Sequence, residues 1–338
     1  MAATVISGAA FGAAMAAAGF HDPDVVISQF KLENWHMGQV FLAATTVSLS
    51  LYSVAERLGY VRIAPRMSSP LGLFSKYDGN ILGGALLGTG MALGGSCPGT
   101  LYAQLAAGVR SGLHALDGAI LGGILWTGIF SKGVQRLREK NAVRPEPGIV
   151  NEQLGLSRSA TVLLLETACV GAIAATMALH TPETASASAS SLSRTRVSGV
   201  VGGLLIGAAQ LVSILTRRSL LGISGSFEEM GSFFWWLIRG ADASAKPRSH
   251  SNMLFASGVA AGAWALFKLL PATAAAPARH ISPSHAMAGG VLMAVGSRMA
   301  GGCTSGHGIS GMSLLSTSSV VTIATTFAVG AVVAPLVH

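Results

Sequence analysis

Charge is scarce in this chain. Only 11% of its 338 residues are Asp, Glu, Lys or Arg, against about 25% in soluble domains, which argues against an ordinary soluble globule. Cysteine is scarcer still: Cys97, Cys169 and Cys303 lie far apart, so the chain has neither a CxxC redox pair nor a disulfide framework. It contains no GxxxxGKS or GxxxxGKT stretch, and with it goes the P-loop route to nucleotide chemistry. Aromatic residues amount to 6% and do not interleave with the basic ones, so the net charge of +8 does not point to nucleic acid. No basic residue precedes the first apolar run and no clear cleavage site follows it. Ala3 to Phe20 therefore reads as a retained span and not a signal peptide.

What the chain does have is apolar length. Hydrophobic residues make up 51% of it, with 43 glycines and a mean hydropathy of +0.57. Glycine-rich apolar helices belong to membranes, where small residues let backbones approach closely. Segments near 3–20, 36–56, 79–96, 113–131, 159–180, 197–215, 252–270, 285–302 and 318–337 each approach the roughly 17–25 residues a spanning helix needs. Between them lie apolar stretches too short to span, at 24–30, 98–109, 219–238 and 304–315. These read as re-entrant helices, because irregular backbone at membrane depth must be buried in protein or line a cavity. The expected fold is an all-α integral membrane protein of about nine transmembrane helices plus short re-entrant helices.

Charge placement agrees with that count. With an inside N-terminus, loops 57–78, 132–158 and 216–250 hold fifteen Lys or Arg, while the opposite face holds five: Lys31, Arg110, Arg194, Arg196 and Arg279. This is a positive-inside bias, and a single miscounted span would scramble it. The stretches Arg138–Gly148, Thr181–Arg196 and 241–252 read as polar linkers.

The chain also repeats itself. Gly83–Cys97 and Gly289–Cys303 align at a constant offset of 206, which pairs Gly83, Gly84, Gly90, Gly95 and Cys97 each with an identical residue. Ser7–Gly12 matches Ser198–Gly203 more weakly. The whole chain then reads as one membrane domain, with a first repeat over 1–131, a connecting span at 159–180 and a second repeat over 197–338. One extra span between the halves reverses the second, so the repeats are expected to be inverted. Cys97 and Cys303 would each begin a re-entrant segment, from opposite faces, and meet near the midplane. Pro98 suits the first turn of such a helix, where its missing N–H costs nothing. The helix start beside Cys97 would present unpaired N–H groups to an anion. Gly95 and Gly302 lie at the same breaks, and Gly302 with its neighbours lets a ligand approach the backbone closely.

The pair GGSCPGT and GGCTSGHG, in two glycine-rich halves of this size, resembles the YeeE/YedE-like sulphur-transport family. The resemblance covers most of the chain and is strongest around Cys97 and Cys303. It implies nine spans plus short embedded helices in inverted repeats, and uptake of thiosulfate or related sulphur compounds. It also implies a central relay of cysteines that hands the substrate on through S–H contacts. Cys97 and Cys303 match two of those cysteines. The place of the third falls near Val26, which bears no thiol.

Each candidate has a plainer reading. Cys97 and Cys303 could be small buried hydrophobes, but their repeat-equivalent position after glycine, at a helix break, favours the path. Cys169 has no equivalent and reads as structural. Cys303 and His307 alone do not make a zinc site, so no metal is expected, and no cofactor. His307 reads as a path-lining donor or as a helix-start histidine facing a vestibule. Glu166 reads as a coupling carboxylate or an interfacial one. Arg298, five residues before Cys303, either stabilises the anion near the Cys303 constriction, or snorkels to the outer interface or pairs with a carboxylate such as Glu166. The expected function is transport, not enzymatic catalysis, of a small inorganic sulphur anion through the lipid bilayer of a plasma or inner membrane, with a cytoplasmic sulphur-accepting protein as a further partner. A membrane thiol oxidoreductase and a sulphur or selenium delivery protein are the alternatives.

Overall fold

The computed structural model describes residues 1–179, 196–241, 246–247, 249–274 and 279–338. The expected linker over Thr181–Arg196 therefore falls outside the described residues, apart from its last residue, and the linker at 241–252 falls partly outside them. Among the described residues the chain is helical, apart from two isolated β-bridges, Met67–Pro147 and Ile149–Ser316.

The first half contains α1 (Ala2–Ala17), α2 (Pro23–Phe30), α3 (His36–Arg57), α4 (Asp78–Gly94) and α5 (Thr100–Ala106). It continues with α6 (Arg110–Lys140), one 31-residue helix whose Trp126–Phe130 turn is π-helical. Short α7 (Val150–Leu154) leads into α8 (Arg158–Leu179). Then follow α9 (Gly199–Arg217), α10 (Gly225–Ile238), α11 (Ser251–Leu269), α12 (Pro283–Ala300), a π-helical segment (Ser305–Gly311) and α13 (Thr317–Val337). Every one of the nine long apolar segments is thus a helix. Six helices, α3, α6, α8, α9, α11 and α13, are long and apolar enough to cross a membrane. The three others fall short: α1 has 16 residues, α4 has 17, and α12 spends its 18 residues on Pro283, His285, Arg298 and five serine or glycine positions besides its apolar ones.

Glycine decides how these helices pack. α4 and α12 run antiparallel with backbones in contact. A Cβ on Gly83 would stand 2.6 Å from the Gly296 carbonyl and 2.5 Å from the Ala300 nitrogen. A Cβ on Gly289 would stand 2.6 Å from the Gly90 carbonyl and 2.8 Å from the Gly94 nitrogen. The 206-residue offset converts the first set of contacts into the second. The outer pairs behave alike. Gly8 and Gly12 of α1 press on the backbone of Phe255 and Val259 in α11, and Gly199 and Gly203 of α9 press on that of His36 and Val40 in α3. Each half therefore packs its first helix against the other half's second long helix, in the reciprocal manner of a two-fold contact. α8 lies outside this arrangement and packs on α3 and α7.

Two polar ends close the bundle. At one, Ser69 donates its amide to Asn80 Oδ1 at 2.8 Å, and Asn80 Nδ2 donates to the Ala300 carbonyl and Thr322 Oγ1, both at 3.0 Å. Buried Asp78 accepts the amides of Leu71 and Leu73, and Arg138 reaches Pro70 and Ser69. These bonds pin residues 66–80 across the ends of α4, α12 and α13. At the other end, Arg279 pairs with Asp24 at 2.7 Å, and Arg196 lies against Gly19.

Candidate thiol path between the two helix breaks

The two breaks are built alike. α4 ends at Gly95 in the left-handed conformation (φ +56°) and α12 ends at Gly301 in the same conformation (φ +87°), a helix-stop geometry that favours glycine. Two residues later comes a cysteine in each case. The Cys97 carbonyl accepts the Leu101 amide at 3.2 Å, and the Cys303 carbonyl accepts the His307 amide at 2.7 Å. Both cysteines thus stand at the entry to a short helix. At Cys97 the entry is a tight turn: the Cys97 amide donates to Thr100 Oγ1 at 2.7 Å, the Thr100 hydroxyl donates to the Cys97 carbonyl at 3.0 Å, and Pro98 lies in the turn just before the helix, which begins at Thr100. Gln104 donates to the Gly95 carbonyl at 3.1 Å and closes the end of α4.

The structure brings the two thiols together. Cys97 meets the side chain of Thr304, the residue after Cys303, and the two sulfurs are close enough to interact electrostatically. On the Cys97 side lies a cavity of about 40 Å³. Phe11, Met15, Phe41, Ile206 and Ile309 line it, and Gly99, Thr100, Thr304 and Ser305 supply the polar edge. Val26, the place that the resemblance assigns to a third thiol, lines the same cavity and is fully buried. On the other side Cys303 is fully buried. Ser305 Oγ lies 3.3 Å from its sulfur, and the amides of Ile223, Ser224 and Gly306 point at it. The Ser305 hydroxyl and three amides thus surround one sulfur. All three cysteines are free. Cys169, on α8, contacts Thr46 of α3 instead of either break.

Two other candidates are placed differently from the donor role. His307 is fully buried, with Nδ1 2.9 Å from Ser319 Oγ and Nε2 3.1 Å from the Ala300 carbonyl. A carbonyl only accepts, so Nε2 carries the proton and Nδ1 accepts from Ser319. Both nitrogens are spent on holding the second break to α12 and α13, and the ring lies against Gly302. Arg298 pairs with Glu228 of α10, while Glu166 accepts a hydrogen bond from Ser50 at 2.6 Å. The carboxylate beside Arg298 is therefore Glu228 and not Glu166.

Sequence reasoning missed Arg66, which it counted among the loop charges. Its Nη1 donates to the Gly301 carbonyl at 3.1 Å, and its charge interacts with Cys303, Arg298 and His307. No local pattern marks it, since 237 residues separate it from Cys303. Among the described residues, no group of three or more His, Cys, Asp or Glu side chains could hold a metal ion.

The alignment of the chain with known proteins matches a sulphur-transport family model over residues 23–333. This chain belongs to the sulphur-transport family. It is also similar to the thiosulfate transporter TsuA of Spirochaeta thermophila, 26% identical over 292 residues that cover 82% of each protein. Family membership and the six long apolar helices make it a multi-pass integral membrane protein that handles a small sulphur anion.

The end of the bundle remote from Arg66 holds a buried imidazole with no hydrogen-bond partner among the described residues. His21, in the turn between α1 and α2, lies edge-on to Phe267 at 4.9 Å between ring centroids. Burial lowers its pKa to about 4, from an ordinary 6.5. The unfolded chain thus binds a proton between those values that the folded chain refuses. The stability tied to neutral His21 is complete above pH 6.5 and is lost as pH falls towards 4. At most about 3 kcal/mol is at stake. Purified protein should melt at lower temperature as pH drops through this range, and His21→Phe should flatten the slope. An unchanged slope in the variant would assign the effect to other groups.

Proposed function

We propose that the protein carries a small sulphur oxyanion, thiosulfate above others, across the membrane along a path lined by Cys97 and Cys303. The observation that carries this reading is the meeting of two repeat-related helix breaks, each with a thiol two residues beyond a left-handed glycine. A bare oxyanion in an apolar passage is costly unless donors replace its water. Here a short apolar cavity ends on a thiol and a Thr304 hydroxyl, and a second thiol ringed by amides lies just beyond. A thiol is a weak but polarizable donor, suited to passing on an anion with a soft terminal sulfur without trapping it. Gly95, Pro98 and Gly302 shape the two breaks, and His307 and Arg298 hold and charge the second one. The similarity to TsuA favours thiosulfate among the possible anions.

The same reading takes the nine apolar helices as nine spans in two inverted repeats, 1–131 and 197–338, joined by the span at 159–180. The reciprocal glycine contacts between α4 and α12 support it, as does the exchange of partners among α1, α11, α3 and α9. The anion leaves as it entered, without covalent chemistry, into the cytoplasm from a plasma or inner membrane, where a sulphur-accepting protein consumes it.

Uptake into proteoliposomes of labelled thiosulfate, sulfate and selenite tests the function directly. Thiosulfate should accumulate at the highest rate. No uptake of any of the three, combined with thiol–disulfide turnover, would favour a membrane oxidoreductase, and no uptake without turnover would favour a sulphur or selenium delivery protein. The topology has its own test in single cysteines at Ser75, Asn141 and Ser188. The first two should label from one side of intact cells and Ser188 from the other; labelling of all three from one side would sink the inverted repeat.

A further inference from the structure

We infer that Arg66 and the three glycines around it form an anion-binding site on the far side of Cys303 from the cavity, where the substrate rests after passing the thiols; the inference rests on the transport reading above. Arg66 leaves the chain between α3 and α4, and its main chain is fixed from both sides. Its amide donates to Ser316 Oγ at 2.8 Å, and its carbonyl accepts from Ser318 Oγ at 3.0 Å. The side chain runs past Gly311 towards Cys303.

The guanidinium ends among backbones that carry no side chains. The point where a Cβ of Gly306 would stand is 3.1 Å from Arg66 Nη2 and 3.8 Å from the Cys303 sulfur. The corresponding point on Gly302 is 3.1 Å from Nη1, and that on Gly222 is 3.7 Å from Nη2. A group placed beside Gly306 would therefore touch the cation and the thiol at once. Thiosulfate has the matching chemistry: oxygens for a planar guanidinium fork and a sulfur for the thiol.

The positive charge there is not spoken for. Arg66 forms no ion pair with a carboxylate among the described residues, and its Nε is sealed from solvent without a hydrogen-bond partner. Its neighbour Arg298 is already paired with Glu228. His307, whose two nitrogens are both engaged, faces Arg66 without offering negative charge. A half-buried cation of this kind, surrounded by glycine and a second arginine, calls for an anion. The passage is then polarised: the cavity before Cys97 is apolar, and the exit beyond Cys303 is cationic. The anion is drawn through the thiols instead of stalling ahead of them.

The test uses the full-length protein in proteoliposomes, with thiosulfate-dependent thermal stabilisation of the purified protein as a second readout. Wild-type uptake comes first, since its absence would refute the transport reading irrespective of Arg66. Given wild-type uptake, Arg66→Gln should raise the KM for thiosulfate roughly 10- to 100-fold and abolish the stabilisation, whereas Arg66→Lys, which keeps the charge but not the fork, should recover part of both. A KM for Arg66→Gln within twofold of wild type would overturn the proposal. If Arg66→Gln does not fold, Gly222→Ala serves instead. Its methyl meets nothing closer than 3.7 Å, so the fold tolerates it, yet it occupies the space beside the guanidinium. Gly222→Ala should raise KM and weaken stabilisation, and unchanged values of both would equally refute the site.

Discussion

Replacing either Cys97 or Cys303 with alanine is expected to reduce thiosulfate uptake at least tenfold while leaving the protein folded and inserted. Each substitution removes a polarizable donor from a passage that offers few others. Contacts to a charged partner contribute about 1.5–3 kcal/mol, which in a transport barrier corresponds to roughly a 10- to 100-fold loss of rate. The two sites differ in what remains behind. At Cys97 alanine leaves Thr100 and Thr304, so a partial path persists. At Cys303 it leaves the amides of Ile223, Ser224 and Gly306 directed at an empty point, and the larger loss is expected there. Serine should rescue poorly at both places, because a hydroxyl is smaller, harder and more strongly hydrogen-bonded to its surroundings than a thiol. Cys169→Ala is the control: it lies against Thr46 on the α3–α8 seam and should transport normally. Undiminished uptake by the Cys97→Ala, Cys303→Ala double variant would show that the anion takes another route.

The contrast between Cys303 and Arg66 shows what a sequence can disclose about this site. Cys303 was legible because its signal is local and doubled: a glycine, a two-residue gap and a thiol, repeated 206 positions earlier at Cys97. The helices were legible for a related reason, since apolar runs of membrane length have few other solutions. Arg66 carries no such mark. Along the chain it is one of four basic residues in a polar loop, indistinguishable from Arg62, and only the fastening of residues 66–80 to α12 and α13 carries it to the second break. Arg298 illustrates the halfway case. Its depth in an apolar helix called for an anion or a carboxylate, of which the sequence offered Glu166, but the packing of α10 beside α12 supplies Glu228. His307 lies at the break, but the hydrogen bonds that engage its two nitrogens come from Ser319 and Ala300, which no local spacing reveals. The 219–238 stretch likewise divides: only Gly225–Ile238 is helical, and the residues before it, Ile223 among them, stay irregular to direct amides at Cys303.

The largest structural effect is expected at the seam between α4 and α12. Gly90→Ala would put a methyl carbon 2.5 Å from the Gly289 carbonyl oxygen and 2.7 Å from the Met293 nitrogen; Gly296→Ala would put one 2.6 Å from both the Gly83 carbonyl and the Leu87 nitrogen. The obstructing atoms are backbone, so rotamer changes cannot relieve the clash, and the two helices must separate. Separation by even a fraction of an ångström is felt along both helices, because close-packed contacts are lost together. It also moves Gly95 and Gly301, which place Cys97 and Cys303. Overpacking of this kind costs about 1–3 kcal/mol or more, and both variants should lose several degrees of melting temperature and most of their uptake. The proposed inverted repeat adds a sharper requirement. Gly90 and Gly296 are equivalent positions facing equivalent neighbours, as are Gly83 and Gly289, so the members of each pair should suffer matching losses. A control alanine at Gly171, on α8, meets nothing within 4 Å and should be silent. If Gly90→Ala is destructive and Gly296→Ala harmless, the two halves do not share the seam symmetrically, and the two-fold relation between the thiol-bearing breaks has to be abandoned.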